Sequence, residues 1–423
     1  MKLYNLKHHA EEVTFRQAVI RGLGRDRGLY FPRHIPPLPD PGSVLSLSFQ
    51  ERSAVILSHM IGEEMPCRLV ARLVAQAFDF PLPLVSVRDN IGVLELFHGP
   101  TLAFKDFGAR FMARCLADFS GGEGITILTA TSGDTGAAVA HAFYGLPGIQ
   151  VKVLYPKDKI SPLQEKLFCS LGGNIETLAI EGDFDDCQRL VKAAFDHHEV
   201  RHRLNLTSAN SINMARLLAQ VCYYFEIAAV YSGDDDLVVS VPSGNFGNLT
   251  AGLIARKLGA PIKRFVAATN VNDTVPRYLH SANWQPRPTV ATASNAMDVS
   301  HPNNWPRVMA LHNNSLEQVK AVVAGAVLDD DATFDAMCEL AADRYVSEPH
   351  GAIAYAGLQA CLQPGEYGVF LATAHPAKFA DTVEAVLQRP VSLPAALEKV
   401  RHAPVLSRTM TNGTSAFLRY LLG

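Results

Sequence analysis

The chain has 423 residues, 48% of them hydrophobic and 19% charged, with a formal net charge of −3. That is more than one compact core holds, so two or three domains are expected, and the small net charge gives no electrostatic drive toward nucleic acid or an anionic membrane. The seven cysteines are scattered, odd in number and never spaced as CxxC, which argues against a disulfide framework or a zinc site and fits a reducing compartment.

The opening MKLYNLKHHAEEVTF has no apolar signal core and carries glutamates, and no apolar run is long enough to span a bilayer, so a cytoplasmic protein is expected. His8–His9 and the group His197, His198 and His202 read as solvated surface rather than as a metal site. Residues 1–95 predict a mainly helical N-terminal region. EEVTFRQAVIRGL is amphipathic and stops at glycine, PRHIPPLPDPG is an extended connector, and FQERSAVILSHMIG and CRLVARLVAQAF again have helical periodicity.

HGPTLAFKDFG, residues 98–108, sets one lysine, Lys105, between phenylalanines behind a His-Gly-Pro turn. Lysines belong at the surface with the charged end in water. Burial lowers the pKa of an ammonium, and a neutral amine can couple to an aldehyde as a Schiff base. Lys105 therefore reads as a covalent cofactor anchor, against the plainer reading of an amphipathic surface lysine.

From residue 124 onward, strands alternate with helices. GITILTA is followed by the turn TSGDTG and the helix AAVAHAFYG, and IQVKVLYP, NIETLAIEG, DLVVSVPSG, IKRFVAATN and YGVFLATA are further strands. ISPLQEKLFCSLGG predicts a helix with Ser161 as N-cap, Pro162 at its first position and Gln164 closing a capping box. The alternation predicts an α/β fold of parallel sheets flanked by helices, with a smaller domain over 96–225 and a larger one over 226–423. Residues 272–315 are rich in Asn and Pro and read as a site loop.

The loops after the strands carry the chemistry. In VVSVPSGNFGNLTAG, a buried strand ends at Pro242, and Ser243, Gly244, Asn245, Phe246, Gly247 and Asn248 lead into a helix. Free amides at a helix start form an anion site suited to a phosphate, against the alternative of a tight turn with no ligand. Ser132, Asp134 and Thr135 lie on a second such turn, which suits a carboxylate if Asp134 points away or caps the helix. Thr373 and His375 stand at a third strand end, where a hydroxyl can face a neutral ring nitrogen. NLTSANSINMARLL adds Asn213 and Arg216 at a loop-to-helix boundary, a plausible oxyanion grip or an ordinary exposed arginine. Three anion-type loops and one lysine wrapped in apolar residues point to pyridoxal 5'-phosphate and an amino-acid substrate.

HGPTLAFKDFG, TSGDTG, NSIN, VPSGNFGN, NVNDTVPR, MDVSHPNN and TAHPAKF occur together and in order, and the set resembles the signatures of the threonine synthases. DRGLYFP resembles that family's DGGLYxP, with Arg27 where glycine is usual. The resemblance covers nearly the whole chain. It implies a fold type II pyridoxal phosphate enzyme whose two domains enclose the cofactor. Lys105 would be the Schiff-base lysine, residues 243–248 the phosphate loop and Thr373 the partner of the ring nitrogen. Ser132, Asp134 and Thr135 would meet the substrate carboxylate, and Asn213 and Arg216 the substrate phosphate. The implied reaction converts O-phospho-L-homoserine and water to L-threonine and phosphate. The expected partner is that small molecule alone, with neither nucleic acid nor membrane, on a monomer or homodimer. Three alternatives stay open: a phospho-lyase releasing phosphate, ammonia and 2-oxobutyrate, a dehydratase acting on serine or threonine, and a binding protein without turnover.

Overall fold

A computed structural model describes residues 1–121 and 124–423. Two parallel sheets form its frame. The larger runs in the order Val323–Val327, Arg264–Thr269, Asp236–Pro242, Glu366–Ala372, Ile91–Glu95 and Leu84–Arg88, all parallel except the last strand. The smaller runs Arg408–Thr411, Ile175–Glu181, Ile149–Pro156, Ile125–Ala130 and Leu206–Thr207, parallel throughout. DLVVSVP, over Asp236–Pro242, is buried at every position after the first, as expected of a parallel strand covered on both faces.

Register sets where the loops lie. Ser240 pairs with Phe370, and Ala372 pairs with Glu95, so three neighbouring strands of the larger sheet end nearly level, at Pro242, Ala372 and Glu95. In an open parallel sheet the crevice beyond the carboxyl ends is where ligands bind. Helix Lys105–Phe119 leaves that edge and packs on helix Met214–Val230, burying Phe107, Phe111, Met112 and Leu116 against Leu217, Leu218 and Val221. Each such side chain contributes about 1.5–3 kcal/mol, which fixes the backbone that carries Lys105.

Several local expectations change. The N-terminal region is not mainly helical at its start: Glu12–Thr14, Lys2–Asn5 and Tyr30–Pro32 form a three-stranded antiparallel sheet, and the helix begins only at Phe15, capped by Thr14 and Gln17. The sheets also cut across the expected domain limits. Residues 84–95 complete the larger sheet, and Arg408–Thr411 with helix Thr414–Leu422 returns to the smaller one. Ser161 and Pro162 do start a helix, but the Ser161 side chain makes no cap hydrogen bond and the capping box is not formed. The stretch 272–315 contains helices Thr274–Ser281 and Trp305–Leu311 between its loops. Arg27 accepts the left-handed conformation that glycine would take easily, at φ 57°, and its guanidinium pairs with Asp196 at 2.9 Å. Among the described residues no helix is long and apolar enough to cross a membrane.

Candidate active site

The chain approaches Lys105 along the end of the larger sheet. Ala103 and Ala374 form an antiparallel bridge, Phe104 N–H donates to Thr373 O at 2.9 Å, and His375 N–H donates to Leu102 O at 3.0 Å. Leu102 takes φ 57° to make that turn, strain of the kind stored at functional sites. Lys105 is thereby pinned beside Thr373 as the first residue of its helix.

The Lys105 side chain is 17% exposed, with Nζ 5.2 Å from the Phe104 ring centroid and 3.3 Å from Asp134 Oδ2. Burial pushes its pKa below the ordinary lysine value. Asp134 opposes that shift, while the charges of Lys378 and Arg216 add to it. The apolar wrap seen in the sequence therefore does bury the amine.

Asp134 comes from the other sheet. Ile125–Ala130 ends in a turn shaped by Thr131, whose hydroxyl oxygen accepts the amides of Gly133 (3.0 Å) and Gly136 (2.8 Å). Gly133 sits at φ +143°, which a side chain would strain. Gly133 is the helix N-cap position, and Asp134 does not cap the helix. Its carboxylate instead bridges two lysines, Lys105 at 3.3 Å and Lys378 at 2.5 Å. Burial alone would raise its pKa, but the two ammonium groups outweigh burial and hold it ionised, well below the usual carboxylate value. Ser132 on the same turn is exposed and Thr135 half-buried.

The glycine-rich loop lies on the adjacent strand end. The Ser243 amide donates to Ala268 O at 2.8 Å and its hydroxyl to Val241 O at 2.9 Å, so both of its donors are spent on the protein. The next loop amide bonded to protein among the described residues is that of Thr250, to Phe246 O at 3.0 Å. The amides of 244–248 are thus open at the positive end of helix Gly247–Leu258. Phe246 holds the corner at φ 61°, its ring edge-on to Trp305.

Two side-chain amides complete the donor set. Asn248 Oδ1 accepts from the hydroxyls of Tyr223 (2.5 Å) and Tyr224 (2.7 Å), which leaves its buried Nδ2 without a partner. Asn304 Oδ1 accepts from Arg307 at 2.8 Å, and its Nδ2 is likewise buried, unpartnered and directed at Gly247. A Cβ on Gly244 would lie 2.9 Å from Met297 Cα and 3.1 Å from Ala296 O, so the loop has no room for a side chain there. Ala296 is held by its amide donating to His350 Nε2 at 3.2 Å, while His350 Nδ1 pairs with Glu348. An amine of lowered pKa, a nest of open amides with two orphaned side-chain donors, and a threonine, Thr373, just past the end of the strand between suit an aldehyde, a phosphate and a ring nitrogen. These residues fit pyridoxal phosphate.

The substrate-side residues divide. Asn213 caps helix Met214–Val230: its Oδ1 accepts the Ala215 amide at 3.0 Å and its Nδ2 donates to Val19 O at 2.8 Å. Asn213 thus serves as a structural cap, with both polar ends bonded inside the protein. Arg216 is not the exposed arginine of the plainer reading. It is buried, gives Nη1 to Ala209 O at 2.5 Å, and keeps an unpartnered Nε. Burial brings its pKa down to about 10, with Asp106 opposing.

Sequence reasoning missed Lys378, Asn304, the tyrosine pair and the Glu348–His350 pair. Lys378 was legible in principle, since PAKF sets a lysine among apolar residues as AFKDF does. The tyrosine pair and His350 reach the site through partners far along the chain, Asn248 and Ala296, and Asn304 by lying against Gly247.

A family model described as "Pyridoxal-phosphate dependent enzyme" matches residues 85–373, "Threonine synthase N terminus" matches 4–78, and "Threonine synthase, C-terminal" matches 351–418. Threonine synthase of Escherichia coli (strain K12) is 57% identical over 426 residues, covering 100% of this chain and 99% of that protein. That of Haemophilus influenzae is 59% identical over 424 residues and 100% of both chains. Among solved structures, threonine synthase from Escherichia coli superimposes with a TM-score of 0.94 at 57% identity, over 100% of this chain and 99% of that one. PLP-bound threonine synthase from Brucella melitensis gives 0.95 at 33% identity, over 100% and 98%.

Proposed function

The chain belongs to the threonine synthase family, and we propose that it converts O-phospho-L-homoserine and water to L-threonine and phosphate with the residues gathered around Lys105. The observation that carries the assignment of roles is the meeting of two sheet edges: Lys105 and Thr373 on one, Asp134 on the other, with the open amide loop on the adjoining strand.

Pyridoxal phosphate, when bound, supplies an aldehyde that couples to amines and a ring that takes up electron density from the substrate's Cα. Lys105 would hold its aldehyde, the amides of 244–248 with Asn248 Nδ2 its phosphate, and Thr373 Oγ1 its ring nitrogen. An uncharged hydroxyl there would leave that nitrogen unprotonated. Lys105 Nζ, desolvated and low in pKa, is the base we assign to the Cα proton and to the proton movements as phosphate leaves Cγ and water adds at Cβ. The turn bearing Ser132 and Thr135 receives the substrate carboxylate; the Lys378 ammonium, at 2.5 Å, cancels the repulsion Asp134 would otherwise exert. Arg216, with its free Nε, is the cation we assign to the substrate phosphate. We take the enzyme to act in the cytoplasm on this small molecule, as a monomer or homodimer.

The test is a product balance. The purified protein with pyridoxal phosphate, given O-phospho-L-homoserine, is expected to form phosphate and threonine in equal amounts. Phosphate with 2-oxobutyrate and no threonine would replace the synthase with a lyase on the same scaffold. Absence of phosphate would overturn the substrate.

A further inference from the structure

Asp134 has two ammonium partners, and they are unequal. Lys378, on the turn Pro376–Phe379, has a fully buried side chain. Its Nζ lies 2.5 Å from Asp134 Oδ1 and donates to Thr101 O at 2.7 Å. Lys105 has one contact, at 3.3 Å, to the other carboxylate oxygen. One carboxylate balances one ammonium, and the lysine with the closer ion pair and a carbonyl acceptor holds its proton more firmly than the lysine with one distant carboxylate contact.

The surrounding charges do not change that count. Burial raises the pKa of Asp106, opposed by hydrogen bonds from Thr101 N–H (2.9 Å) and Thr101 Oγ1 (2.7 Å) and by the charges of Lys378 and Arg110, and Asp106 is in turn an opposite charge for Arg216. Arg110 is paired with Asp79 at 2.6 Å. On the flanking elements, burial holds His375 down to about 4 and His141 below its ordinary value, so both are neutral at pH 7. His350 is engaged by Glu348 and the Ala296 amide. Asp134 and Asp106 thus face three cations, Lys105, Lys378 and Arg216, which is one proton more than the buried cluster balances.

We propose that Lys378 is a positioning residue for the reaction: its charge occupies the Asp134 carboxylate, so that the Lys105 amine gives up its proton and stands free to react. The proposal rests on Lys105 being the cofactor lysine. Lys378 makes no contact with substrate in this scheme and acts only through Asp134. The Thr101 carbonyl anchors it in place, and Thr101 in turn is tied to Asp106, so the cation sits in a fixed frame.

The experiment adds pyridoxal phosphate to the protein freed of cofactor and follows the rate of attachment against pH. Only the neutral amine attaches, so the midpoint reports on Lys105 without turnover. The wild-type midpoint is expected below about 10, the range of an ordinary lysine. Lys378→Met leaves Asp134 to Lys105 alone, and the midpoint is expected to rise by about one unit, a roughly tenfold slower attachment at pH values below both midpoints. Lys378→Arg keeps the charge and is expected to stay near the wild type. Asp134→Asn removes the counter-charge and is expected to lower the midpoint. Shifts of opposite sign cannot come from general damage, which slows attachment at every pH without moving the midpoint. An unmoved midpoint in Lys378→Met, or a shift in the same direction for both variants, overturns the proposal. Should Lys378→Met fail to fold, Asp134→Asn decides: a midpoint that rises or stays put overturns it. Attachment that persists in Lys105→Ala would instead refute the cofactor lysine itself, so the two failures are distinguishable.

Discussion

Lys105→Ala is expected to lower threonine formation by at least about 10³-fold while leaving the fold intact. A positioned acid–base group contributes about 10²–10⁴-fold, and this residue is also assigned the covalent anchor. No other amine can stand in. Lys378 is the nearest, but its Nζ is committed to Asp134 and Thr101 O, and its side chain has no exposed surface. The stability argument runs the other way. Lys105 has a single long contact, and burying an amine costs free energy unless it is well paired. Removing it leaves Asp134 with its closer partner, so the thermal midpoint is expected to hold or rise. A fall in kcat without a fall in thermal midpoint checks both halves; near-normal turnover would contradict the assignment.

Gly244→Val is expected to weaken cofactor binding about 10²–10³-fold, the loss of two charge-assisted hydrogen bonds at roughly 1.5–2 kcal/mol each. The constraint is space. The added carbon would meet Met297 Cα and Ala296 O, both backbone, so the loop itself must shift and its open amides move with it. Gly247→Ala is the milder control, because its Cβ would meet only the Asn304 side chain, at 3.2 Å. Titrating the cofactor-free protein with pyridoxal phosphate measures both. Trp305, whose ring centroid is 5.6 Å from that of Phe246 in the same loop, is a built-in fluorescence reporter. Equal affinity in wild type and Gly244→Val would remove the phosphate from this loop.

The buried parallel strands were legible because runs such as DLVVSVP and IQVKVLYP are apolar nearly throughout and flanked by turn residues. The loops that follow them were legible because a glycine-rich turn between strand and helix leaves amides open. What escaped was set by distance along the chain. The three-stranded N-terminal sheet has strands of three or four residues, too short for periodicity, and Lys2–Asn5 finds its second partner only at Tyr30–Pro32. Arg408–Thr411 is an unremarkable RTMT until it meets Leu178–Glu181.

The same limit applied to the site. Lys105 announced itself through its neighbours, but the role of Asp134 depended on Lys378, 244 positions away, and no local signal separated a carboxylate that caps a helix from one that bridges two lysines. Arg216 is predictable as a helical residue, yet its burial follows from the packing of helix Met214–Val230 against helix Lys105–Phe119. Asn213 carried the converse lesson. An asparagine before a helix is first a cap, and here the cap uses its acceptor while Val19 takes its donor.

The measurement that bears most directly on the account is the site of cofactor attachment. The protein loaded with pyridoxal phosphate is reduced with borohydride, digested, and the peptides carrying the cofactor's mass are identified. The account predicts a single modified peptide with the label on Lys105; a label on Lys378 or any other lysine, or none at all, would contradict it.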